Sequence, residues 1–162
     1  MSICHHRTSP RVLFICKKKT DSYGVSFGLL NSATFVANAL IEQGIEARIV
    51  SVIDNNGIDR EVSTYKPTHV MIEAIWVVPS KFDALKSLHP KVKWIVRVHS
   101  KTPFLANEGN AIEWMKGYAR KGVIVAPNSK ELTDNIVNGM GIKGSYLPNI
   151  YYPPMSPLFQ PA

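Results

Sequence analysis

The chain has 162 residues, with 19 Lys and Arg against 12 Asp and Glu and a formal charge of +7. That length supports one domain with a core of its own, and 45% apolar with 19% charged residues excludes a disordered or fibrous chain. The longest apolar stretches, such as Ala74 to Val78, fall far short of the roughly 20 residues of a membrane span, so no transmembrane helix is expected.

Residues 1–10, MSICHHRTSP, read as a flexible polar N-terminus without the apolar core of a secretory signal, and a cytoplasmic protein is expected. Cys4 and Cys16 are too few for a disulfide framework and read as free thiols. Cys4, His5 and His6 are adjacent and have no second cluster to close a tetrahedral shell, so no metal site is expected.

Arg11 to Cys16 (RVLFIC) is a compact apolar run and predicts a buried first strand. The polar segment from Lys17 to Ser22 follows it, and from Val25 the residues Leu29, Leu30, Ala33, Val36, Ala37, Leu40 and Ile41 recur at helical spacing up to Gly44. Glu46 to Ile53 predicts a second strand, with turn chemistry in Asp54, Asn55, Asn56 and Gly57 and a short helix around Asp59 to Tyr65. Thr68 to Ala74 is the third expected strand, Pro79 to Leu88 a helix, and Lys93 to Val98 the fourth strand, with Trp94 in the core. His99 to Asn107 forms a long loop, Glu108 to Arg120 a helix, and Gly122 to Ala126 a fifth strand. A helix capped by Asn128 or Ser129 and a short strand near Ser145 to Leu147 complete the domain over residues 11–150, and the Pro-rich residues 151–162 form a tail or linker.

Alternating strands and helices, with nearly continuous apolar strands, predict an α/β fold: a doubly wound, Rossmann-like parallel sheet in three α/β/α layers. The strand order expected is 3-2-1-4-5-6, whose reversal point between strands one and four would bring together the loops Lys17 to Gly28 and His99 to Asn107.

The first loop offers Lys17, Lys18 and Lys19, Gly24 and Gly28, and a helix N-terminus, all suited to a phosphate. Its YGVSFG is neither G-x-G-x-x-G nor a P-loop, and a solvated basic loop explains it equally. His99, in VRVHS, would project from a strand end, where an imidazole can exchange a proton with a hydroxyl or merely cap the strand. Glu73 and Glu108 are the carboxylates best placed to work with it, although Glu108 equally suits a helix N-terminus. Trp76, at a strand end, is a candidate for stacking on a base or sugar.

The segments VANALIEQGIEARIVSV, KPTHVMIEAIW, VRVHS, VIVAPNSKELTDNI and LPNIYYP, in this order over residues 11–152, resemble the N-terminal Rossmann domain of GT-B glycosyltransferases. The similarity is closest to short glycosyltransferase-like proteins of bacteriophages, which would place the chain in a host cytoplasm. The resemblance implies a domain that mainly binds the acceptor, with a nucleotide sugar as donor substrate held through an E-x₇-E type motif in a second domain or partner chain. It aligns Gly24 to Gly28 with a loop near the donor phosphates, without the family's double glycine, and His99 with the acceptor cleft. No bound cofactor is implied, and an isolated chain is expected to transfer no sugar. The alternative is a stand-alone, non-catalytic Rossmann module whose basic surface binds nucleic acid or a partner protein.

Overall fold

The structure is a computed structural model, and it describes residues 9–18, 27–98 and 111–127. Five strands, β1 (Arg11–Lys17), β2 (Glu46–Val52), β3 (His69–Glu73), β4 (Lys93–Val98) and β5 (Ile124–Pro127), form one sheet in which every pairing is parallel. Among the described residues, four α-helices lie between or beside them: α1 (Phe27–Glu42), α2 (Ile58–Tyr65), α3 (Lys81–Leu88) and α4 (Ala111–Arg120). The expected α/β architecture is present. Among the described residues no helix is long and apolar enough to cross a membrane.

Local chemistry sets the element ends. After α1, Gly44 adopts φ +82° and donates to the Ile41 carbonyl while Ile45 donates to Leu40, a closure that satisfies the last carbonyls of the helix. Gly122, at φ +77°, repeats the arrangement after α4, with Gly122 donating to Ala119 and Val123 to Tyr118. Asp54 turns the chain after β2 by accepting from the Asn56 amide at 2.8 Å.

The sheet divides the core into two layers, as side chains alternating across each strand require. Val12, Phe14 and Cys16 face Ala33, Val36 and Ala37 of α1. On the opposite face Leu13, Ile15, Val70, Ile72, Val96 and Val98 meet α2, α3 and α4. There Phe82 is the hub of two edge-to-face contacts, 5.8 Å from the Trp94 ring and 5.5 Å from Tyr118. Trp94 is in the core, as expected. Apolar runs such as Val70 to Ile72 and Val123 to Val125 are expected to be buried, but Met71 is partly exposed and Ile124, on β5, is exposed.

The strand order is β2-β1-β3-β4-β5, not the expected 3-2-1-4-5-6. The physical reason is legible in the strands themselves. β2 pairs only with β1 and leaves Glu46 and Arg48, among others, partly or fully exposed, the charged habit of an edge strand. The shorter, more apolar β3 is hydrogen-bonded on both sides, to β1 and to β4. The order 3-2-1-4 would have put HVMIE at the edge and EARIVSV inside. The reversal point therefore lies between β1 and β3.

Candidate functional site

In a parallel sheet the carboxyl ends of the strands beside the reversal point line the ligand crevice. Here those ends are Cys16 to Lys18 on β1 and Glu73 to Trp76 after β3. Lys17 and Lys18 are both exposed, and the Lys18 amide donates to the Val52 carbonyl at 2.7 Å, which ties the exit of β1 to the end of β2.

A row of polar side chains lies under this edge. Ile15 is in register with Ile72, so Cys16 and Glu73 are lateral neighbours, and Glu73 is in register with Arg97. All three point to the α1 face, because residues in parallel register share a face of the pleat. Arg97 Nη1 donates to Glu73 Oε1 at 2.9 Å, and Nη2 donates to Ser32 Oγ of α1 at 3.2 Å. Glu73 and Arg97 are both 0% exposed. Taking two charges out of water costs several kcal/mol per ion, which their attraction offsets only in good geometry.

The Cys16 thiol is pushed up to about 12, by burial first and by the Glu73 carboxylate second, with Arg97 acting in the opposite direction. It is a neutral, inert thiol at ordinary pH. Directly after Glu73, Ala74 holds φ +77°, in the left-handed region that disfavours side chains, and its amide donates to the Arg97 carbonyl at 2.9 Å. Backbone strain of this kind costs on the order of 1–3 kcal/mol and clusters at functional sites. Trp76 closes the turn by donating from Nε1 to the Glu73 carbonyl at 2.8 Å, and it packs on the core while remaining partly exposed. Val77 is held from below by the hydroxyl of Tyr118, whose own pKa burial raises.

Of the residues singled out in the sequence, Lys17, Lys18 and Glu73 share this edge. Glu73 is turned inward to Arg97 rather than outward beyond the strand ends. Gly28 lies in the first turn of α1. Lys19, Gly24, His99 and Glu108 lie outside the described residues, as do Cys4, His5, His6, the segment from Asn128 and the Pro-rich tail. With the reversal point between β1 and β3, the strand end opposite Lys17 and Lys18 belongs to Glu73 and Trp76. The strand leading to His99 is one place further out.

Sequence reasoning passed over Arg97, Ser32 and Ala74. Arg97 had a signal: it is the lone charge inside WIVRV, a run whose other members demand burial, and a guanidinium there needs a buried partner. Ser32 and the conformation of Ala74 had none. Among the described residues no group of three His, Cys, Asp or Glu is arranged to hold a metal ion. No protein-family model and no curated protein matches the chain.

Proposed function

We propose that the chain is the acceptor-side domain of a GT-B-like glycosyltransferase, transferring a sugar from a nucleotide sugar when a donor-binding domain complements it. The resemblance of residues 11–152 to such domains motivates the reading. The observation that carries it is the buried pair of Glu73, at the β3 end beside the reversal point, with Arg97 of the neighbouring β4, next to the strained Ala74. Nothing in the packing of a five-strand sheet asks for two charges there, whereas a crevice that must keep its shape while holding an anion does.

In the proposed reaction an acceptor hydroxyl oxygen bonds to the anomeric carbon of the donor. The bond from that carbon to the diphosphate oxygen breaks, and the nucleoside diphosphate leaves with the electron pair. The hydroxyl proton passes to a base, the part proposed for His99 with Glu108 as its carboxylate partner. Glu73 acts through Arg97 as a positioning residue. Lys17 and Lys18, with the backbone near Gly24 and Gly28, attract the anionic ligand.

The test is a titration with uridine diphosphate and inorganic phosphate, followed by backbone amide shifts. Perturbations at Lys17, Lys18 and the turn from Glu73 to Trp76 are expected, weakening as salt rises. Shifts confined to the outer strands β2 and β5 would overturn the placement, and sugar transfer from labelled donors by the isolated chain would overturn the two-domain requirement. The net charge of +7 favours a second reading, a non-catalytic module that binds nucleic acid. That reading requires an affinity for DNA or RNA that falls steeply with salt.

A further inference from the structure

At the opposite, amino edge of the sheet a cavity of about 520 Å³ opens between the segments that enter β3 and β4. Its size is that of a small-molecule site. Val62, Pro67, Pro90 and Val92 give it apolar walls, and Lys66, Lys91 and His89 supply its charged and ring-nitrogen groups. We infer that this cavity binds a small organic carboxylate with an apolar body, independently of the crevice at the carboxyl edge.

Two observations carry the inference. Lys66 ends α2 at φ +54°, where its amide donates to the Val62 carbonyl, a position that glycine occupies most readily. A lysine held there against backbone preference lies on the cavity lining. The wall is fixed, because His89 Nε2 and Asp59 Oδ1 meet at 2.7 Å and tie the end of α3 to the first turn of α2. Behind His89, with ring centroids 6.3 Å apart, Trp94 is 2% exposed, and its indole N–H is buried with no acceptor among the described residues. Trp94 does not line the cavity, so its indole reports on the wall that His89 forms rather than on direct contact with a ligand.

The chemistry favours a carboxylate over a phosphate. Both α2 and α3 end at this cavity, so the backbone presents carbonyl groups and the negative ends of two helix dipoles, not the amides that phosphates use. Two lysines suffice for one negative charge, and proline and valine walls match an apolar body rather than a hydrated dianion. The same lysines could serve only to offset the helix dipoles, and the experiment separates the two roles.

Benzoate is titrated into the full chain, with benzyl alcohol as the neutral isostere and inorganic phosphate as the dianion, while the Trp94 indole N–H and the amides of His89 and Lys91 are followed. Saturable shifts with benzoate are expected, with binding about tenfold or more weaker for benzyl alcohol, as loss of a charge-assisted contact implies. Lys66→Gly removes the ammonium and suits the backbone, so it should fold at least as well and lose benzoate affinity. Lys91→Ala should lose it too. Absence of saturable shifts, equal binding of benzyl alcohol or phosphate, or unchanged benzoate affinity in both variants would overturn the proposal. Each outcome is independent of the carboxyl-edge crevice, which is read from different amides.

Discussion

Two ion pairs tie neighbouring strands together at opposite edges of the sheet, each between residues in register. At the amino edge Arg11 Nε of β1 meets Glu46 Oε2 of β2 at 3.2 Å, with side chains 35% and 64% exposed. At the carboxyl edge Arg97 of β4 and Glu73 of β3 meet at 2.9 Å with no exposure. Charge, partner type and register are shared, and only the solvent differs. In water such a pair contributes about 0–1 kcal/mol. Away from water it is a poor stabiliser compared with apolar side chains of the same volume, yet breaking it by removing one partner is severe. The comparison teaches that the outer pair can be explained as part of an edge strand, whereas the inner one calls for a role beyond holding the sheet.

The largest test of that difference is Arg97→Ala, which removes the guanidinium that faces the Glu73 carboxylate in the core. A loss of about 3–5 kcal/mol in urea unfolding is expected, the cost of breaking a buried pair by removing one partner. The double variant Glu73→Leu with Arg97→Met removes both charges at similar volume and should recover most or all of that loss. If the pair serves the crevice, the double variant folds but loses its response to uridine diphosphate at the Glu73 to Trp76 turn. A double variant that keeps the full ligand response would reduce the pair to architecture.

The next test uses Cys16, the neighbour of Glu73. Its folded pKa of about 12 stands above the ordinary value of 9.0, chiefly because the thiol is buried. Below pH 9 both folded and unfolded chains hold the proton, so the contribution is fully present. As pH climbs from 9.0 toward 12 the unfolded chain releases the proton first, and stability falls, by at most about 1.4 kcal/mol per pH unit from this one group. The difference between the protein and Cys16→Ala, measured by urea unfolding from pH 8 to pH 10.5, should show this slope. A flat difference would mean that the thiol is solvated.

How far the sequence discloses this molecule depends on which property is asked of it. Apolar runs such as RVLFIC and KWIVRV dictate buried strands, and the spacing from Ala33 to Ile41 dictates a helix, because burial periodicity is a local property. Strand order is not local. It depends on which side of β1 the chain crosses to after β2, and the deciding clue was the charge carried by EARIVSV rather than any motif. The site divides in the same way. Glu73 stands out as a carboxylate at a strand end, but its partner Arg97 is 24 residues away in sequence and meets it only through β3–β4 register. Ser32 joins from α1 across the layer, 65 residues from Arg97, a relation no spacing rule contains.

The smallest effect sharpens the outer half of the comparison. Glu46→Gln keeps the shape of the side chain and removes its charge, so the Arg11 guanidinium loses an ion pair but not its surroundings. Arg11 also lies 4.3 Å from the centre of the Tyr65 ring, which Arg48 approaches at 4.7 Å. With Glu46 neutral, the two cations flanking that ring repel each other without a nearby anion to offset them, while water screens most of the repulsion. The expected loss is below about 1 kcal/mol and should shrink further in 1 M salt, where the Debye length falls to about 3 Å. Unfolding measured at low and high salt reads both values. A loss as large as that of Arg97→Ala, or one insensitive to salt, would erase the distinction between the two edges.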